Sequence, residues 1–154
     1  GYSMGAFVTA GLLGEEPRVR SAVLGGVGIG VLDRSRALRS EGLADALETD
    51  DPTSIRSATG RAFRAFADST GADRLALAAV SRAGLVPSPE LGGVSVPVLV
   101  LVGSEDDLAR GADGLAAAIP GARLEVVRGD HLGAVYRSAF RAAIVGFLAD
   151  ASPV

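Results

Sequence analysis

Apolar and polar positions alternate along this chain in two rhythms, one of helices and one of buried strands. From Met4 to about Leu13 the residues are small and apolar nearly all round, with Phe7, Val8, Ala10, Leu12 and Leu13 among them, which predicts a buried helix. Gly14-Glu15-Glu16-Pro17 ends it, because proline has no N–H to give to a helix. Arg18 to Leu24 then reads as a strand closing at Gly25-Gly26, with Val19, Ala22, Val23 and Leu24 as core positions. Residues 27–93 carry no convincing strand. Leu38, Leu43, Ala46 and Leu47 predict one short helix, Ile55, Ala58, Ala62, Phe63 and Phe66 a second, and Leu75, Leu77, Ala78 and Val80 a third. Asp51-Pro52 supplies start signals for the second of these. Arg34, Arg36, Arg39, Arg56, Arg61 and Arg64 fall mostly away from the apolar positions and predict a solvated face.

Leu85 to Gly93, with Pro87 and Pro89, is a linker back to regular structure. Val94 to Val102 is an almost unbroken run of β-branched and leucine residues, the pattern of a strand covered on both faces in a parallel sheet. A helix follows from about Leu108 to Ile119, then a short strand from Arg123 to Val127, then a helix from about Ser138 to Ala149 with Phe140, Ile144, Phe147 and Leu148 on one side. Helices that alternate with parallel strands predict an α/β three-layer sandwich with a mostly parallel sheet. The expected organisation is core over 1–26, a helical cap insertion over 27–93, and core again over 94–154.

Composition narrows the function classes. The 154 residues, 48% hydrophobic and 21% charged, suit one ordinary domain, and a net charge of -3 without a basic patch argues against a nucleic-acid partner. All 15 basic residues are arginine, a bias that fits GC-rich coding. With no cysteine there is no thiolate nucleophile and no Cys-ligated metal. No apolar run is long enough for a membrane span, and the start lacks the pattern of a signal peptide, so a cytoplasmic protein is the default expectation. Gly25-Gly26-Val27-Gly28-Ile29-Gly30 lacks the G-x-G-x-x-G spacing of a dinucleotide loop and predicts instead a flexible route into the cap. One histidine among scattered carboxylates forms no metal-ligand spacing, so neither cofactor nor metal is expected.

Three polar residues stand where such a fold exposes its chemistry, at the carboxyl ends of parallel strands. Gly1-Tyr2-Ser3-Met4-Gly5 is a G-x-S-x-G pentapeptide opening a helix, the setting of a nucleophile elbow. Asp106 follows the Val94 to Val102 strand, and His131, the single histidine, follows the Arg123 to Val127 strand. A serine hydroxyl becomes a nucleophile when a histidine takes its proton, and a carboxylate fixes the histidine tautomer. Asp107 competes with Asp106 for the acid role. The G-x-x-D spacing from Gly103 favours Asp106, leaving Asp107 as a first-turn acid.

The order Ser, Asp, His, each after a strand, resembles the carboxyl-terminal half of an α/β-hydrolase of the bacterial cap-bearing kind, which includes esterases, lactonases, haloperoxidase-like enzymes and carbon-carbon bond hydrolases. Pro97 to Asp106, Ile119 to Leu124 and Gly129-Asp130-His131 carry the likeness beyond the pentapeptide. The resemblance implies Ser3 as nucleophile, His131 as proton shuttle, Asp106 as the orienting acid and the Met4 N–H as an oxyanion donor. It implies a small uncharged ester, thioester or lactone as substrate, with Tyr2, Val27 and Ile29 as candidates for the pocket. Serine at the elbow argues against the branches that use a carboxylate nucleophile.

The family's expected first strands have no counterpart here, so a missing amino-terminal segment, on the same polypeptide or a separate chain, is the expected partner. One absent oxyanion donor costs roughly 3 to 4 kcal/mol of transition-state stabilisation, and residues 1–154 alone are expected to be nearly inactive. Two rival readings are a non-catalytic binding module on the same scaffold and a half-domain whose task is assembly with its complement.

Overall fold

The computed structural model describes residues 1–32, 42–83 and 90–151. The chain divides into two compact units, Gly1–Arg34 with Val86–Val154, and Ser35–Leu85. The second is narrower than the 27–93 insertion expected. Val27, Val31, Leu91 and Val94 are buried in the core of the first unit, so the segments on either side of the insertion belong to the sheet domain.

In the first unit α1 (Met4–Leu12) leads to β1 (Ala22–Gly25). After the second unit come β2 (Val98–Gly103), α5 (Ala112–Ala117), β3 (Arg123–Val127) and α6 (Ser138–Asp150). The three strands form one parallel sheet in the order β1-β2-β3. A further parallel bridge joins Tyr2 to Gly25, so the two residues before Ser3 run along the outer side of β1.

β2 sits in the centre, buried on both faces as its unbroken apolar run requires. The period-2 geometry of a strand sends Val98, Val100 and Val102 to one core with Ala6 and Ala10 of α1 and Leu115 of α5. Leu99 and Leu101 point the other way, into a second core with Phe140 and Phe147 of α6. Helices therefore cover both faces, and the result is an open parallel sheet in the middle of three layers, matching an incomplete α/β-hydrolase core.

Several elements are shorter than their apolar runs. β1 begins at Ala22 rather than Arg18, and β2 at Val98 rather than Val94. Leu91–Gly93 forms a 3-10 turn before Pro97, whose ring nitrogen cannot donate to a ladder; its carbonyl accepts from Ala22 N. The helix expected over 108–119 is split. Asp107–Ala109 is a 3-10 turn, Gly111 takes φ 72°, and α5 starts only at Ala112.

The second unit is helical, with α2 (Leu43–Glu48), α3 (Ala58–Thr70) and α4 (Arg74–Ala83) around a small core of Ala44, Leu47, Ala67 and Ala78. Asp51-Pro52 does open a turn, but a 3-10 turn over Pro52–Ser54, in which the Asp51 carboxylate accepts from Thr53 N. Ser57 caps α3 instead, its hydroxyl accepting from Gly60 N at 3.2 Å. Arg56 and Arg61 are exposed as expected, whereas Arg64 is buried. Its guanidinium donates to the Thr49 carbonyl and, through Nε, to Asp68 at 2.9 Å, so a core position one turn from Gly60 holds a paired cation. Leu38, Arg34, Arg36 and Arg39 lie outside the described residues, as does the Leu85 to Pro89 part of the linker.

Candidate active site

Ser3 joins the Tyr2 bridge to α1 through a sharp turn. Its backbone lies at φ 50° and ψ -118°, and among the described residues it is the one non-glycine with positive φ. That conformation costs of order 1–3 kcal/mol and persists only where the surroundings impose it. Here they do: Ser3 N donates to Gly25 O at 2.8 Å, and Gly25 N donates back to Gly1 O at 2.9 Å. The two glycines of the pentapeptide are not equivalent. A Cβ at Gly1 would overlap the Gly5 carbonyl, while a Cβ at Gly5 meets nothing within 4 Å. The turn therefore requires glycine at its first position, and Met4, at the start of α1, has no intrahelical acceptor for its N–H.

Asp106 stands three residues beyond the end of β2 as a cap. Its Oδ1 accepts from Leu108 N at 3.0 Å and Ala109 N at 3.2 Å, which fixes the carboxylate before any side chain reaches it. The side chain is completely buried. Asp107 points elsewhere, exposed and paired with Arg110 at 2.8 Å. The capping turn takes the Asp106 carboxylate inward and leaves that of Asp107 in solvent.

His131 follows β3 in a turn held by its own neighbour. The Asp130 carboxylate accepts from Gly133 N at 2.6 Å, and the Asp130 carbonyl from Ala134 N at 3.0 Å. The imidazole is nearly buried, with its Nδ1 2.9 and 3.0 Å from the two Asp106 oxygens. Its Nε2 lies 2.9 Å from Ser3 Oγ. With Nδ1–H donating to the carboxylate, Nε2 is left as the acceptor for the serine hydroxyl. Strands β2 and β3 and the turn beside β1 thus bring together three residues up to 128 positions apart in sequence.

The remaining residues singled out in the sequence are dispersed. Tyr2 lies half-buried against the His131 and Phe140 rings, with centroids 5.2 and 5.6 Å away. Val27 is 2% exposed and packs in the core beneath α1 and α5, whereas Ile29 is 44% exposed and rests against Gly111 and Gly114. Sequence reasoning missed the contact between Tyr2 and His131, for which the only local signal was an aromatic residue next to the serine. Among the described residues no cluster of His, Asp and Glu could hold a metal ion, and no helix is long and apolar enough to cross a membrane.

No protein-family model matches the sequence, and no curated protein does either. Solved structures are similar. A hydrolase from Pseudomonas aeruginosa superposes with a TM-score of 0.70 at 25% identity, over 96% of this chain and 63% of its own. The enol-lactonase from Burkholderia xenovorans gives 0.64 at 26% identity, over 97% of this chain and 64% of its own. A thermophilic esterase from Thermogutta terrifontis shares the fold at a TM-score of 0.65 and 21% identity, over 99% of this chain and 64% of its own. The chain thus spans a little under two thirds of the length of these structures. An open parallel sheet layered between helices, a serine on a strained turn beside β1 and nearly full coverage by such structures lead to one conclusion: the chain is a member of the α/β-hydrolase-fold superfamily.

Proposed function

We propose that this chain carries the catalytic residues of a serine hydrolase that cleaves a small uncharged ester, thioester or lactone through an acyl-enzyme. The observation that carries the reading is the unbroken chain from Ser3 Oγ to His131 Nε2 at 2.9 Å and from His131 Nδ1 to the buried Asp106 carboxylate at 2.9 Å. Ser3 Oγ adds to the substrate carbonyl while His131 takes its proton. The imidazolium then protonates the leaving alkoxide or thiolate, and the same histidine activates the water that releases the acid. Asp106 stabilises the imidazolium from a fixed position, because two backbone N–H groups hold its Oδ1 in place. The oxyanion that develops on the carbonyl is received by the Met4 N–H at the start of α1.

Support for the carbonyl class comes from the similar solved structures, which include an enol-lactonase and an esterase. In the working enzyme a segment amino-terminal to the elbow extends the sheet beyond β1 and supplies the second oxyanion donor. The similar solved structures, of which this chain spans a little under two thirds, support this arrangement.

The test is hydrolysis of p-nitrophenyl esters of increasing acyl length by the complete protein, with Ser3→Ala and His131→Gln as controls. Saturable hydrolysis that both substitutions abolish is expected. Full activity in Ser3→Ala overturns the reading.

A further inference from the structure

Tyr2 does more than precede the serine. Its hydroxyl donates to the backbone carbonyl of His131, a hydrogen bond spanning 129 positions. Its ring lies beside the imidazole, 5.2 Å between centroids at a 34° tilt, and meets Phe140 edge-on at 5.6 Å and 76°. The space it occupies is cleared by two consecutive glycines. A Cβ on Gly25 would come within 2.7 Å of the Tyr2 ring, and one on Gly26, which sits at φ 64°, within 2.6 Å. Burial first, and the negative charges of Asp106 and Asp130 after it, push the phenol well above the ordinary tyrosine range, so the hydroxyl stays a donor.

We infer that Tyr2 is a positioning residue for His131, a brace that ties the histidine turn to the residue adjoining Ser3. Asp106 holds the imidazole at Nδ1, but a ring held at one atom can still tilt about that contact. Tyr2 removes that freedom by fixing the backbone from which the ring hangs and by packing against the ring face. Because Tyr2 and Ser3 are consecutive, the brace sets the Nε2 to Oγ separation with one intervening peptide unit rather than through the sheet. This role differs from lining a substrate pocket, and it rests on the triad reading above.

Tyr2→Phe separates the two roles, since it removes one oxygen and keeps the ring. In the complete protein, p-nitrophenyl acetate and butyrate hydrolysis is compared for wild type, Tyr2→Phe and Ser3→Ala, with Tm read alongside. The brace predicts a kcat lowered by about tenfold, with KM and the acetate-to-butyrate preference unchanged. A Tyr2→Phe enzyme with wild-type kcat overturns the brace, as does one changed only in KM or chain-length preference. If Ser3→Ala retains activity, the triad reading fails instead, which is a distinct outcome. A second measurement needs no variant. In the unmodified protein a tyrosine hydroxyl proton protected from exchange, with an NOE to His131, is expected by proton NMR, and a Tyr2 hydroxyl that exchanges freely overturns the brace.

Discussion

Replacing Asp106 by asparagine changes one oxygen for an NH2 group in a side chain that has no room to choose its orientation. Oδ1 receives two backbone N–H groups, from Leu108 and Ala109, and also lies 3.0 Å from His131 Nδ1, while Oδ2 faces Nδ1 alone at 2.9 Å. An amide with its oxygen at Oδ1 keeps both capping bonds, and the flipped amide loses both. At about 1 kcal/mol per hydrogen bond the first orientation is favoured by roughly 2 kcal/mol, before the clash of facing donors is counted. The NH2 group then points at Nδ1 and forces it to accept, so the proton moves to Nε2. An Nε2–H imidazole cannot take the Ser3 proton. With Ser3, His131 and Asp106 acting as proposed, the wrong tautomer lowers kcat by about 10⁴, the loss known for a Ser-His-Asp triad, which corresponds to about 5.5 kcal/mol. Because shape and capping bonds are retained, the fold should survive. Steady-state hydrolysis of a p-nitrophenyl ester should show the loss in kcat with KM little changed, and circular dichroism should show an unaltered melting curve. A variant within tenfold of wild-type kcat refutes the tautomer argument, and one that fails to fold refutes the claim that the cap tolerates an amide.

Other outcomes follow from the same geometry. Gly28→Ala places a Cβ against the carbonyl oxygens of Arg110 and Ala109; the overlap should cost about 1–3 kcal/mol by denaturant titration and disturb the turn that holds Asp106, and an unchanged midpoint would contradict it. Arg64→Met should destabilise the helical unit by about 1–3 kcal/mol, the value of hydrogen bonds from a charged group, softened because Arg74 also donates to Thr49 O at 3.1 Å; a change below about 0.5 kcal/mol in urea would contradict that role. The raised phenol of Tyr2 has a signed consequence: its contribution to stability is fully present below the unfolded tyrosine value of about 10 and is lost as pH rises beyond it, because the unfolded phenol ionises first. Tyr2→Phe should flatten the fall in Tm above about pH 10, and an identical slope in both proteins would contradict it.

The proposed triad could be suggested from sequence because Asp106 and His131 follow strands of distinct pattern and Ser3 lies in a G-x-S-x-G pentapeptide that opens a helix. Val94 to Val102 reads from its composition alone as a strand covered on both faces, of which β2 takes up the part from Val98, and the residues after it inherit their place from the parallel topology. Asp106 over Asp107 was readable from spacing, but its reason, the two capped N–H groups, belongs to the fold. Element lengths were less readable. The apolar pattern of 108–119 continues through Gly111, where the backbone turns left-handed and the helix restarts. Arg64 misled because charge on a helix was assumed to face solvent, whereas an ion pair with Asp68 and a carbonyl from another loop make burial tolerable. The contact between Tyr2 and His131 depends on two elements meeting at 129 positions' separation, and no local periodicity records it.

The most direct test of the account is covalent labelling of the complete protein with a fluorophosphonate, followed by peptide mass spectrometry. Labelling requires a serine activated by histidine, independent of which substrate the pocket accepts. The account predicts a single adduct on Ser3 that disappears in Ser3→Ala and falls sharply in His131→Gln. A folded protein that takes no label, or an adduct on Ser3 that forms at the same rate without His131, would contradict it.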